Sequence, residues 1–125
     1  MTTSTLALAQ LRLPFDATFK MPGSKSHANR VIIAACLSKS KTVIENATPC
    51  DDVALLVKNL RKMGFDIEYT NRKSGELTVR GGIPKKNHVT PITLDCGNAG
   101  TTLRFLTALC CIVPSTFIIT GNKYM

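Results

Sequence analysis

The chain has 125 residues, 44% of them hydrophobic, so it is long enough to bury a core as one globular domain and too apolar to be intrinsically disordered. Its 16 lysines and arginines outnumber 8 acidic residues and give a net charge of +8, which favours anionic partners. The basic residues are spread along the chain, and only seven residues are aromatic (five Phe and two Tyr). This composition argues against nucleic acid as the partner and favours a small anionic ligand.

Cysteine usage and hydropathy indicate the cellular compartment in which the protein is expected. The five cysteines are odd in number, form no C-x-x-C motif and are accompanied by only two histidines, His27 and His88. We therefore expect reduced thiols and no metal site, with Cys36 and Cys110 on apolar helix faces. No apolar run reaches membrane-spanning length, and the N-terminus lacks the features of a signal peptide. The expected location is the cytoplasm, without membrane contact.

The first predicted elements are a strand, a turn and a helix. Residues 1–15 are weakly patterned and fit an N-terminal tail or a short strand. Alternating apolar residues predict a strand at Asp16–Met21. Pro22-Gly23 predicts a turn, and Ser24 is a natural N-cap. The following helix extends to about Ser38, because one apolar face recurs at i, i+3, i+4 and i+7: Ala28, Val31, Ile32 and Ala35.

Three further strands and a second helix complete the first unit. A short strand is predicted at Lys41–Asn46. The second helix begins near Asp51 and Asp52, which we expect mainly to cap it, and it stops at Gly64. Alternation then predicts a hairpin over residues 65–79. Residues 16–81 therefore have the order β-α-β-α-β-β, of the α/β (α+β) class, with helices on one face of a sheet.

A second, incomplete unit is predicted after a linker at residues 82–91. Residues 92–125 give a strand, a polar turn, a helix and another strand, at Ile92–Cys96, Asn98–Cys111 and Ser115–Thr120. Gly97 follows Gly23 by 97 − 23 = 74 residues, and Arg104 follows Arg30 by the same 74. This shared offset inside the same strand–turn–helix order indicates an internal repeat whose second copy lacks its second helix and its hairpin.

The first strand-to-helix turn is the leading candidate for an anion site. The first-turn N–H groups of a helix have no partner within it, and the helix dipole favours negative charge there. Lys25 adds a positive charge, and Ser26 and Arg30 are four residues apart, so they share one helix face. The alternative is an ordinary capped helix with solvated basic residues.

The second turn offers similar chemistry. Gly97 and Gly100 allow backbone N–H groups to approach a ligand closely. Asn98 is expected to cap the following helix, and Thr101 offers a hydroxyl group. Arg104 is expected to serve the same face as Arg30 does in the first unit. The alternative is a glycine-rich turn with an ordinary Asn cap.

Three motifs in these stretches carry a family resemblance. They are Pro22-Gly23-Ser24-Lys25-Ser26-x-x-Asn29-Arg30, Asp51-Asp52 followed by Leu60, and Gly97-Asn98-Ala99-Gly100-Thr101-x-x-Arg104. Together they resemble the N-terminal part of 5-enolpyruvylshikimate-3-phosphate synthases, over about residues 14–121. A sister family that transfers enolpyruvate to a UDP-sugar lacks Ser-Lys-Ser at the first turn and relies on a loop cysteine without a counterpart here.

The resemblance implies a transferase of the shikimate pathway, which leads to chorismate and the aromatic amino acids. Such an enzyme joins shikimate-3-phosphate to phosphoenolpyruvate and releases phosphate without a metal or organic cofactor. By motif, Lys25 would be catalytic and touch both substrates, while Ser26 and Arg30 would hold shikimate-3-phosphate. Gly100 would line the phosphoenolpyruvate pocket, where glyphosate competes in this family. Three neighbours would shape that pocket: Asn98, Thr101 and Arg104.

The sequence departs from the family in two ways. Family members are much longer, with two domains that each contain three βαβαββ units, whereas one complete unit and a partial second are predicted here. The chain is therefore expected to be a truncated or fragmentary synthase, inactive by itself, with a complementing C-terminal chain as a candidate partner. Tyr124 stands where the family has an arginine, which is expected to weaken phosphoenolpyruvate binding.

Two other functions stay open. One is a non-catalytic, anion-binding remnant of the same fold that keeps the Lys25 and Arg30 pocket. The other is an RNA-end-processing or RNA-binding protein built from a similar unit, against which the scattered charge and scarce aromatic residues argue.

Overall fold

The computed structural model describes residues 6–7, 10, 16–19, 21–47, 50–85 and 88–125. These residues contain three helices and five strands. The elements are α1 (Lys25–Leu37), β1 (Lys41–Ile44), α2 (Asp51–Lys62), β2 (Asp66–Asn71), β3 (Glu76–Arg80), β4 (Ile92–Asp95), α3 (Gly100–Cys110) and β5 (Phe117–Thr120). The predicted mixed α/β (α+β) class is confirmed.

The described strands form two separate sheets. In the first, β3 lies between β1 and β2 and pairs antiparallel with both, so Val79 stands opposite Thr42 on one side and Ile67 on the other. Val79 is fully buried, as expected for the central strand of a sheet covered by helices. In the second sheet, β4 and β5 pair in parallel, with Ile92 opposite Phe117. The connection between these two strands contains α3, which is the usual way to join parallel neighbours.

The predicted strand at Asp16–Met21 is wrong for the residues that the structure describes. Residues 16–19 and 21 belong to no helix or strand, and residue 20 lies outside the described residues. The apolar side chains of the alternating pattern remain in solvent, with Phe19 77% and Met21 74% exposed. Alternation stabilises a strand only when a paired neighbour and an apolar surface receive it. Of the predicted tail at residues 1–15, only 6–7 and 10 are described, and they lie in no helix or strand.

The helix ends agree with the sequence at two positions. Ser24 is the N-cap of α1, and its Oγ accepts a hydrogen bond from the His27 N–H at 3.3 Å. Gly64 ends α2 in the left-handed conformation, at φ 98°, and the next N–H, that of Phe65, donates to the Leu60 carbonyl at 3.0 Å. This pair of features satisfies the last carbonyl groups of the helix.

The start of α3 differs from the prediction. Its N-cap is Ala99 and not Asn98, and no side chain caps it. The chain first makes a tight turn in which the Ala99 N–H donates to the Cys96 carbonyl at 2.8 Å, and this delays the helix. Asp95 stabilises the turn, because its Oδ1 accepts a hydrogen bond from the Gly97 N–H at 2.9 Å.

The hydrophobic core is organised around α2. This helix contacts α1, α3, β2 and β4. Leu56 and Leu60 on its inner face are fully buried. Asn59 adds a polar link, because its Nδ2 donates to the Asp95 carbonyl at 2.8 Å at the end of β4. The helix therefore holds the two sheets in one core.

Gly75, in the β2–β3 turn, is held against the loop after β1. Its φ is 70°, and a Cβ built there would lie 1.9 Å from the Ala47 carbonyl oxygen. The Ala47 N–H donates to the Gly75 carbonyl at 2.9 Å, so the two backbones cannot separate without losing this bond. Only glycine fits both the conformation and the contact.

We predict that Gly75→Ala lowers the free energy of unfolding by at least about 2 kcal/mol, because backbone strain and the clash add. Urea unfolding followed by circular dichroism measures this change. Ser74→Ala, in the same turn, is the matched control and should stay within about 0.5 kcal/mol of the parent. Equal stability of the two variants would contradict the close approach to Ala47.

Candidate functional site

Lys25, the first residue of α1, forms an ion pair with the second residue of α2. Its Nζ lies 2.8 Å from Asp52 Oδ2, and the side chains are 56% and 26% exposed. The hydrogen bond and the charge of Asp52 raise the pKa of Lys25 above its ordinary value of 10.5. The ammonium group is therefore fully charged at neutral pH and is held at the N-terminal end of α1.

The expectation that Asp51 and Asp52 mainly cap α2 needs correction for Asp52. Both acids do lie in the first turn of α2, where they suit the helix dipole. However, the Asp52 carboxylate reaches across to α1 and holds Lys25. Sequence reasoning missed this role, because periodicity does not tell which helix start lies beside which.

Ser26 and Arg30 share one face of α1, as their spacing predicts. Arg30 Nη1 donates to the Ser26 carbonyl at 2.8 Å and also contacts the Ser26 Oγ. Arg30 is exposed, and its remaining N–H groups have no protein partner among the described residues. A guanidinium with free donors on an exposed face can bind phosphate through two parallel hydrogen bonds.

Asn29 is a buried polar residue within the same motif. It is 1% exposed, and within the described part of the chain neither its Oδ1 nor its Nδ2 has a hydrogen-bond partner. It follows Lys25 by one helical turn, so both residues lie on the same side of α1. Unsatisfied buried amides are rare in proteins, so the burial of Asn29 calls for an explanation. Sequence reasoning gave this residue no role beyond its place in the motif.

The second turn lies against the middle of α2. Gly97 has φ 55°, and a Cβ built there would be 3.2 Å from the Leu55 Cδ1. Leu55 follows Asp52 by three residues, so these two side chains are neighbours on the surface of α2. The structure therefore brings the Lys25 turn and the Gly97 turn to the same half of one helix, about one helical turn apart.

The other predicted residues of the second turn are placed as follows. Gly100 begins α3, and nothing lies within 4 Å of a Cβ built on it, so this position is open. Asn98 and Thr101 are exposed beside it. Arg104 is exposed on α3, and no hydrogen bond or ion pair in the described part of the chain joins it to the first turn. That Arg104 serves the same face as Arg30 stays a prediction.

Tyr124 and its neighbours lie near the second turn. The Asn122 N–H donates to the Gly97 carbonyl at 2.7 Å, and the Tyr124 N–H donates to the Asn122 Oδ1 at 2.9 Å. Tyr124 is 74% exposed, and the Lys123 Nζ lies 5.0 Å from the centre of its ring. Tyr124, which stands where the family has an arginine, therefore has the ammonium group of Lys123 beside its ring.

Within residues 6–7, 10, 16–19, 21–47, 50–85 and 88–125, no three Cys, His, Asp or Glu side chains are grouped closely enough to hold a metal ion. Over the same residues, no helix combines the length and the apolar character needed to cross a bilayer.

Comparison with known proteins identifies the family. The family model described as EPSP synthase (3-phosphoshikimate 1-carboxyvinyltransferase) matches residues 11–125. The chain belongs to the EPSP synthase family. Its predicted resemblance to this family is thereby confirmed.

Individual members of the family support this assignment. A 3-phosphoshikimate 1-carboxyvinyltransferase from Hamiltonella defensa is 37% identical over 111 residues, which cover 88% of this chain and 26% of the relative. One from Methanoculleus marisnigri is 34% identical over 112 residues, which cover 90% of this chain and 26% of the relative. The solved EPSP synthase from Acinetobacter baumannii superposes with a TM-score of 0.68 at 25% identity, covering 85% of this chain and 24% of that chain. This chain therefore spans about a quarter of the length of these EPSP synthases.

We predict that Asp52→Asn lowers the pKa of Lys25 toward 10.5, because both the hydrogen bond to a charged acceptor and the Coulomb attraction are lost. An NMR titration that follows the Lys25 side-chain Cε measures the change. Asp51→Asn is the matched control, since it removes the same charge one residue away and should leave Lys25 almost unchanged. A larger effect of Asp51→Asn would contradict the observed pairing.

Proposed function

We propose that this chain forms the part of an enolpyruvyl transferase site that binds the anionic groups of shikimate-3-phosphate and phosphoenolpyruvate. The observation that carries the proposal is the Lys25–Asp52 ion pair at the start of α1, beside the Gly97 turn. Family membership supports the reaction: the related proteins are named 3-phosphoshikimate 1-carboxyvinyltransferases. The product would be 5-enolpyruvylshikimate-3-phosphate, released together with phosphate.

In this proposal Lys25 is the catalytic residue. Asp52 holds its ammonium group in place and raises its pKa further above neutral pH. A fixed positive charge lowers the energy of the negative charge that builds up as the phosphate group leaves, without reorganisation during the reaction. Lys25 also lies at the N-terminal end of α1, where the helix dipole adds to the attraction for both substrates.

Ser26 and Arg30 would hold the phosphate of shikimate-3-phosphate. The Ser26–Arg30 contact keeps the guanidinium beside the first turn, and its free N–H groups can make a bidentate contact with phosphate. The phosphoenolpyruvate carboxylate would lie at Gly100, where the space left by the missing side chain admits a ligand. The walls of this pocket would come from three neighbours: Asn98, Thr101 and Arg104.

The remainder of the site would come from a complementing C-terminal part, since the related proteins are about four times as long as the matched region. Enolpyruvyl transfer requires one proton to reach the phosphoenolpyruvate methylene and another to leave the attacking hydroxyl. Closure of a second wall over the substrates would exclude water and align them. We further propose that the reaction needs no metal or organic cofactor. Five free thiols support a reducing, cytoplasmic location.

We predict that shikimate-3-phosphate binds the 125-residue chain weakly and shifts the amide resonances of residues 24–30 first. Arg30→Lys should weaken binding by about tenfold or more, because a point charge cannot replace the bidentate contact. Arg80→Lys, an equivalent change on an exposed arginine of β3, is the control and should have no effect. Equal affinity of the Arg30→Lys variant and the parent would remove Arg30 from the proposed site.

We also predict that the 125-residue chain alone gives no steady turnover with both substrates. Positioning and closure can supply roughly 7–11 kcal/mol of a barrier, and a quarter of the family length cannot provide them. Phosphate release is the assay, with and without a separately expressed C-terminal part of a related synthase.

Recovery of phosphate release in the mixture, and its loss on Lys25→Ala, would support the proposal. Turnover by the chain alone would contradict the need for a complement. No turnover in a mixture that does form a complex would favour a non-catalytic, anion-binding remnant.

A further inference from the structure

A groove between α2 and the β2–β3 hairpin shares none of the residues proposed to bind substrate. Its volume is about 500 Å³, which is within the range of small-molecule sites. The lining residues are Cys50, Asp51, Ala54, Val57, Lys58, Arg61, Tyr69 and Arg72. Neither family membership nor the proposed transfer reaction gives this groove a role.

Two arginines meet at one aromatic ring in this groove. The guanidinium carbons of Arg61 and Arg72 lie 5.6 and 5.4 Å from the centre of the Tyr69 ring. Arg61 is fixed there, because its Nε donates to the Ile67 carbonyl at 2.7 Å. Arg72 comes from the hairpin turn, so α2 and the hairpin each contribute one cation.

The positive charge of this groove is not compensated. Lys58, Arg61 and Arg72 face it with Asp51 as the single carboxylate of the lining. Among the described residues, no carboxylate lies within ion-pair distance of either guanidinium. An anion that contacts these guanidinium groups would offset their positive charge and gain charge-assisted hydrogen bonds.

The groove also has an apolar floor. Val57 is buried, and Tyr69 and Ala54 extend the surface. Burial raises the pKa of Tyr69 above 10, against a smaller opposing effect of Arg61 and Arg72, so its hydroxyl stays protonated and neutral at physiological pH. The ring therefore offers an aromatic surface and a hydrogen-bond donor at once.

Charge and shape together define the ligand. Arg61 follows Asp51 by ten residues, which places the two ends of the groove about 15 Å apart along α2. A small inorganic ion would use only the cationic end, whereas an organic molecule can also cover Tyr69 and Ala54. We propose that this groove binds a phosphomonoester with a planar, apolar body: the phosphate lies between Arg61 and Arg72, and the body lies on Tyr69.

The test is an NMR titration of the ¹⁵N-labelled 125-residue chain at constant ionic strength, with phenyl phosphate and inorganic phosphate as separate probes. Phenyl phosphate should saturate and shift the amides of the groove residues Lys58, Arg61, Tyr69 and Arg72. Its affinity should exceed that of inorganic phosphate by at least about fivefold, because only it can stack on the ring. Tyr69→Leu should remove this preference and leave the binding of inorganic phosphate in place.

Variants that remove one positive charge distinguish specific binding in the groove from nonspecific electrostatic attraction to the protein. Arg72→Gln should weaken phenyl phosphate binding by at least about fivefold, because one charge-assisted contact is lost. Arg72 makes no hydrogen bond to the protein among the described residues, so this variant should fold like the parent. Arg80→Gln removes the same charge from β3 outside the groove and should have no effect.

Three results would overturn the proposal. The first is an equal loss of affinity in Arg72→Gln and Arg80→Gln, which indicates diffuse charge. The second is equal affinity for the two probes. The third is phenyl phosphate shifts confined to residues 24–30, which would place all phosphate binding at the start of α1.

Discussion

Burial of one face of α2 is the constraint on which the rest of the structure depends. Val53, Leu56, Val57 and Leu60 are each at most 1% exposed, and they fall at the spacing of a single helical face. Burial of each such side chain contributes about 1.5–3 kcal/mol. Because α1, α3 and both sheets pack on this helix, the position of every other element is set relative to it.

The polar parts of α2 explain how one helix supports two different surfaces. Acidic residues occupy its first turn and basic residues its last turn, an arrangement that stabilises the helix dipole at both ends. At the first turn Asp52 faces α1 and holds Lys25, whereas near the last turn Arg61 faces the hairpin and Tyr69. The side chains that solubilise the helix therefore also organise two separate clusters of positive charge.

The proposed transferase site is consistent with the excess of positive charge. In the proposed reaction both substrates carry phosphate and carboxylate groups, which positively charged side chains and backbone N–H groups can neutralise. Lys25 with its fixed partner, the free guanidinium N–H groups of Arg30 and the open backbone at Gly100 are of this kind. This chain spans about a quarter of the length of the related synthases, and the contribution proposed for it is to bind and orient the substrates.

The sequence by itself determined the local structure wherever short-range chemistry decides the outcome. Ser24 as N-cap, Gly64 as helix stop and the shared face of Ser26 and Arg30 depend on residues within one or two helical turns. The motifs around Lys25 and Gly97 were also sufficient to predict the family. The internal repeat stays a prediction, although α1 and α3 begin 100 − 25 = 75 residues apart, close to the predicted offset.

Only the tertiary structure decided how distant segments meet. The alternating pattern of residues 16–21 predicted a strand, but pairing depends on a neighbour that the pattern does not specify. Asn98 is a residue type that often caps helices, which predicted it as the N-cap. The turn stabilised by Asp95 instead places the start of α3 at Gly100. Asp52 reached Lys25, and Arg72 reached Tyr69, because α2 brings α1 and the hairpin to its two sides. Contacts between residues far apart in the chain depend on how the helices and sheets pack, and periodicity within a segment carries no information about its partner.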